Sequence, residues 1–269
     1  MASTWEVTQH QKSLPALRNP ILIEGLPGIG NVGKIAIDFL IEELGAKKLY
    51  SFFSYRFPHS VFVNEKNLVE MPKIEMYYKT FPVGSKKRDV LLLQGDIQPI
   101  DEESCFSFCE EILTLAKKHR CTEVITTGGI GLQAIPEQPR VFCTSNDTEL
   151  FKHYATKELL VEKDIFGVVG PIVGVSGILL GLGKKRGVKG VALLAETFAH
   201  PLYLGVKGAK EVIRVLEQKF SFGIDLKKMG KEILDAERET MKKTKEWLSE
   251  VAASQAGAKG KKKEVGYIG

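Results

Sequence analysis

The chain has 269 residues, of which 43% are hydrophobic and 26% charged, a globular composition that can build one large core or at most two modest ones. Of the formal charge of +5, +3 falls in residues 254–269, where Lys259, Lys261, Lys262 and Lys263 stand against Glu264. The body is left at +2, which argues against a nucleic-acid partner and assigns the basicity to a solvated tail.

Residues 1–18 show no basic stretch leading into an apolar one, so no secretory signal is expected and the protein is read as cytoplasmic. The run 21–23 predicts a strand, and the periodicity of 32–44 a helix. Between them lie Gly28, Gly30, Gly33 and Lys34. The three glycines spell G-x-G-x-x-G in the strand-to-helix context of a dinucleotide site, and Gly28 to Lys34 also spells the G-x-x-x-x-G-K of a P-loop. Each pattern stops short. Ile35 stands where a P-loop needs a hydroxyl for Mg²⁺, and the second strand, predicted over 49–53, holds no acid for a ribose hydroxyl. The residues alone leave two readings: a tight turn that lets the helix pack closely on the sheet, or a phosphate- or nucleotide-binding loop.

Further strands are predicted over 60–63, 67–71, 73–78 and 89–94, with hairpin turns at 64–67 and 83–87. The helix expected over 101–119 carries Cys105 and Cys109, which with Cys121 and Cys143 show no metal spacing and read as small buried thiols in a reducing compartment. Strands over 122–127 and 140–144 and a helix over 147–154 follow. Residues 166–183 contain no charge and are long enough to suggest a membrane span. Pro171 and six glycines resolve them instead into a strand over 165–169, a glycine turn and a core helix over 172–181. A strand over 191–197 and helices over 207–219 and 225–251 complete the series. The charge-free runs at 90–93 and 191–194 read as strands buried on both faces, the mark of a parallel sheet with helices on either side. The expected architecture is a mixed, mainly parallel α/β sheet in a single domain over 1–251, followed by a flexible basic tail over 252–269.

Segments 94–99, 126–131 and 169–177 read as loops that line one sheet edge together with the glycine loop, where open α/β sheets place ligands. Asp96, Glu196 and His200 are the polar residues nearest these strand ends. Asp96 reads as a turn or capping acid and His200 as a loop residue. No nucleophile elbow, His and Cys cluster or acid–base carboxylate pair emerges, so no catalytic residue, metal or cofactor is assigned.

Five segments occur in order: Glu24 to Gly33, Gln94 to Pro99, Thr126 to Gly131, Gly170 to Gly181 and Ala192 to Thr197. In that order the chain resembles archaeal members of the proteasome assembly chaperone family over about residues 15 to 240. The resemblance implies a three-layer α/β sandwich similar to phosphorylase folds. It implies a non-enzymatic homo-oligomer that helps assemble, or docks on, the proteasome core particle through its α subunits. Some relatives have been described as ATP-grasp-like, which keeps open a nucleotide- or phosphate-binding enzyme that uses Gly28, Gly30, Gly33 and Lys34. Docking tails in such chaperones end in an apolar residue, a tyrosine and any residue. Here the tether 252–263 leads to Val265, Gly266, Tyr267, Ile268 and Gly269, so the tyrosine stands third from last. Val265, Tyr267, Ile268 and Gly269 are the expected partner-binding residues. In helix 225–251 the apolar positions thin out between Glu237 and Glu246 and return at Trp247 and Leu248, which are expected to pack at an oligomer interface.

Overall fold

The runs at Val90 to Leu93 and Val191 to Leu194 carry no polar side chain, and a strand sends successive side chains to opposite faces. Both faces are accordingly covered. Val90 and Leu92 join one core with Ile21, Ile23, Val191 and Leu193, while Leu91 and Leu93 join another with Leu22 and Val124. In the computed structural model, which describes residues 5–85, 87–167 and 170–227, these strands form the middle of one large sheet. The tail 252–269 and most of the expected helix 225–251 lie outside the described residues. With them go Trp247, Leu248, Val265, Tyr267, Ile268 and Gly269.

The strands are β1 (Glu6–Gln9), β2 (Ile21–Gly25), β3 (Lys47–Phe53), β4 (Phe62–Val63), β5 (Val69–Glu70), β6 (Ile74–Lys79), β7 (Val90–Gly95), β8 (Glu123–Leu132), β9 (Val141–Ser145), β10 (Val161–Glu162) and β11 (Gly190–Phe198). The helices are α1 (Val32–Leu44), α2 (Glu102–Lys118), α3 (Thr148–Tyr154), α4 (Val175–Arg186) and α5 (Val206–Phe220). Nine strands run in the order β1-β3-β6-β7-β2-β8-β11-β9-β10, and β4 with β5 makes a separate hairpin. The central strands β7, β2, β8 and β11 are mutually parallel. β1, β3 and β6 extend the sheet antiparallel from β7, and β9 is antiparallel to β11. Helices α1, α3 and α5 cover one face and α2 and α4 the other, which is the expected three-layer sandwich.

Helix ends follow local chemistry. Asp101 caps α2 by accepting from Ser104 N at 2.8 Å, and Asp147 caps α3 by accepting from Leu150 N at 2.8 Å. α1 stops at Gly45, which takes the left-handed conformation at φ 56°. The hairpin turn at 64–67 forms as expected, with Asn67 N donating to Asn64 O at 2.9 Å.

Three sequence expectations are corrected, and one strand is added. Residues 126–131 are not a loop: β8 runs on to Leu132 because β11 continues beside it, pairing Gly128 with Leu194 and Leu132 with Phe198. No strand occupies the described part of 165–169. α4 begins at Val175, not at 172, because Gly174 at φ 82° breaks the backbone just before it. It then runs past 181 to Arg186, where Lys184, Lys185 and Arg186 favour the negative end of the helix dipole. β1 was not expected at all, since only Val7 of its four residues is even partly buried.

At the centre of the second core, the buried Phe108 ring lies 4.7 Å from Trp5 and 5.5 Å from Phe52, centroid to centroid. Trp5 thereby ties the N-terminal segment to α2. Replacement Phe108→Ala is expected to cost about 3–5 kcal/mol by urea denaturation, with loss of the native Trp5 fluorescence maximum before global unfolding.

Candidate functional site

β2 and β7 are parallel neighbours, yet β2 leads into α1 on one face and β7 into α2 on the other. Where successive connections diverge in this way, the carboxyl ends of the strands frame a crevice. The crevice here has a volume of about 430 Å³ and is walled by Pro27, Gly28, Gln98, Ile130, Pro171 and Ser176 among others. Three of the segments singled out in the sequence therefore do converge with the glycine loop: the start of α4, the loop after β7 and the end of β8.

The glycines owe their places to close packing. A Cβ on Gly33 would lie 2.4 Å from Thr127 O, and one on Gly25 would lie 2.2 Å from Gly33 O. A Cβ on Gly129 would lie 2.3 Å from Ile29 O. Helix α1 and the turn before it thus sit directly on the ends of β2 and β8. Gly30, at φ 61°, presents its carbonyl to Gly205 N at 2.7 Å. Gly28 differs, since a Cβ there would meet nothing within 4 Å. The Lys34 ammonium turns to Asp38 at 2.9 Å and Asp96 at 3.8 Å. Among the described residues lining the crevice none is Lys, Arg or His.

Gln98 ties two walls together. Its amide donates to Pro27 O at 2.7 Å and accepts from Val175 N at 3.2 Å, which joins the turn after β2 to the first residue of α4. Behind this wall lies Glu24, the most perturbed carboxyl of the site. It is fully buried, accepts from Leu26 N at 3.0 Å and accepts from the Ser176 hydroxyl at 2.9 Å. Burial pushes its pKa up to about 7, against the opposing pull of these two hydrogen bonds. The Thr127 hydroxyl donates to the Glu24 carbonyl at 2.7 Å, so β2, β8 and α4 are all fastened at one residue.

The three polar residues named from sequence have other partners. Asp96 accepts from Lys73 N at 3.2 Å and pairs with Lys34. Glu196 is buried and held by Arg140, whose backbone N–H donates at 2.9 Å and whose guanidinium donates at 2.5 Å. Burial raises the Glu196 carboxyl, but the Arg140 contacts outweigh it and leave the pKa below the usual value. His200 stacks on Phe198 at 5.6 Å beside a second, shallower cleft near Gly30. Glu24 escaped notice because it continues the apolar run of β2. The signal available was a single carboxylate near the end of a buried strand, just before a glycine turn.

Glu24 is neutral in the fold over a range where the unfolded chain ionises freely. Its stabilisation is complete below the ordinary pKa of 4.5, falls as pH rises towards 7, and is constant above that. At about 1.4 kcal/mol per unit, the loss over this window is about 3 kcal/mol. Glu24→Gln should remove this slope. The variant is expected to match the parent at pH 4.5 and to exceed it by about 2–3 kcal/mol at pH 8, as urea unfolding at the two pH values would show.

With the geometry in hand, comparison with known proteins places the chain. The family model described as PAC2 matches residues 22–244. The chain is similar to Pyrococcus furiosus PbaB, described as an archaeal proteasome activator, with a TM-score of 0.78 and 32% identity over 93% of this chain and 99% of that one. It is also similar to Pyrococcus furiosus PbaA, described as an archaeal homolog of proteasome-assembly chaperone, with a TM-score of 0.70 and 25% identity over 94% and 97%. A Methanocaldococcus jannaschii protein, MJ1210, is 28% identical over 98% of this chain and 97% of its own length.

Proposed function

Because the chain belongs to the PAC2 family, we propose that it is a non-enzymatic proteasome assembly chaperone or core-particle-binding adaptor that works in the cytoplasm as a homo-oligomer. The observation that carries this reading is the likeness to PbaB across nearly the whole of both chains. The site agrees with it. The glycines are used to seat α1 on the sheet, the crevice wall offers no cation among the described residues, and Glu24 is sealed beneath Leu26 and Ser176.

In this reading a single α/β domain reaches to residue 251, and the segment 252–263 tethers a binding tip. Val265, Tyr267, Ile268 and Gly269 contact α subunits of the core particle, and Trp247 and Leu248 pack between copies. Pull-down of purified core particles by the full chain is expected to succeed and to weaken at least tenfold when residues 264–269 are deleted. Capture that survives the deletion would move the contact from the tail to the body of the protein, and no capture by the full chain would overturn the proposal.

The second reading, a nucleotide- or phosphate-binding enzyme, has in its favour that Gly28 and Gly33 line the crevice. It requires Lys34 to leave Asp38 and Asp96. Calorimetric titration with ATP and Mg²⁺ is expected to give no heat of binding. Heat that disappears in Lys34→Ala would establish this reading instead.

A further inference from the structure

The hairpin of β4 and β5 stands apart from the main sheet and turns apolar side chains outward on both of its faces. Val61 is 51% exposed, Val63 68%, Leu68 60% and Val69 70%, and Phe62 and Met71 are also exposed. Tyr55, at the root of the same excursion, is 89% exposed. A two-stranded hairpin alone is marginal in water. These side chains leave apolar area on the order of several hundred Å², at or above the about 300–600 Å² of the largest patch on an ordinary monomer. An area of that order is a substantial part of the about 800 Å² that each partner buries in a standard interface.

The same face also carries hollows. Two clefts of about 390 and 400 Å³ flank the hairpin root, and Phe53 and Met71 line both. The first is lined mainly by apolar side chains, and the second adds Glu70, Lys73 and Glu75 at its rim. A projecting apolar ridge beside a mainly apolar hollow on one surface fits a two-fold contact, in which each copy offers both halves. The charges point the same way. Arg56 pairs with Asp101 at 3.5 Å and Glu103 at 2.9 Å, and Glu70 pairs with Lys73 at 2.7 Å. Glu65 and Lys66 at the tip are of opposite sign. The face presents no field of one sign to attract an acidic or basic partner, and interface centres are poor in charge.

We propose that this face is where two copies of the chain meet, the hairpin of each lying in the clefts beside Met71 of the other. The proposal rests on the homo-oligomeric reading above and assigns that contact to a surface separate from Trp247 and Leu248. Because β4 and β5 stand outside the core, their outer positions can be charged without emptying it.

The test uses the full chain. Light scattering at micromolar concentration should give an oligomer for the parent and at least a twofold lower mass for the variant Val69→Asp, whose urea midpoint should stay that of the parent. In parallel, Val63→Cys in one tagged copy and Met71→Cys in a differently tagged copy should cross-link on mild oxidation, well above the background of the parent with its native cysteines. An unchanged mass for a folded Asp variant, or no cross-link, would overturn the proposal, and the cross-link decides it if the Asp variant does not fold. A monomeric parent would overturn it together with the homo-oligomeric reading, while core-particle capture by the same samples reads the chaperone proposal separately. Loss of oligomer in Trp247→Ala, Leu248→Ala but not in the Asp variant would place the contact on the helix instead.

Discussion

The arrangement of this molecule depends on how closely one stretch of backbone approaches another. The chain leaves β2 at Gly25, turns through Gly28 and Gly30, and enters α1 so near the sheet that Gly25, Gly33 and Gly129 have no room for a side chain. That approach fixes the level of α1 above β2 and β8. It also shapes one wall of the crevice at the strand ends and brings Gly30 O to the backbone of Gly205, at the entry to α5. A sequence that reads as a phosphate cradle is here used to remove the space a phosphate would need on the sheet side of the turn. Only Gly28 faces away from this contact.

Glu24 shows the cost of such tight seating. A carboxyl near the end of a buried strand leaves water entirely, and two hydrogen bonds from Leu26 and Ser176 do not bring its pKa back to the usual range. Yet those bonds fasten the turn after β2 to the first turn of α4, and Gln98 repeats the link from the other side. Both links close on the turn after β2, so Glu24, Gln98 and Ser176 hold the strand end and α4 together through their own polar groups.

Much of this was legible in the sequence. α1, α2 and α5 follow their apolar period, and the capping acids Asp101 and Asp147 mark the starts of α2 and α3. The uncharged runs of β7 and β11 announced the centre of the sheet. What was misread turns on glycine. The glycines at 128, 129 and 131 look like loop chemistry, but β8 has little room for side chains there, because Ile29 and Thr197 press against Gly129, Ala199 and Ile29 against Gly131, and Leu194 lies over Gly128. β1 has no apolar alternation to reveal it, being held by Val7, Trp5 and backbone pairing with β3. Glu24 was hidden for the opposite reason, as a polar residue in a run whose neighbours are all apolar. Its role depends on Ser176, 152 positions away, a separation no local pattern records.

The order of strands has a consequence in time. β2 lies between β7 and β8, and β8 in turn pairs with β11 at residues 190–198. The centre of the sheet therefore joins segments far apart in the chain, and its parallel pairings close long loops before they repay the entropy. The antiparallel arm of β3, β6 and β7 needs no such loop. Folding of this sheet is thus expected to be slowest where it is most buried, at the pairing of β8 with β11.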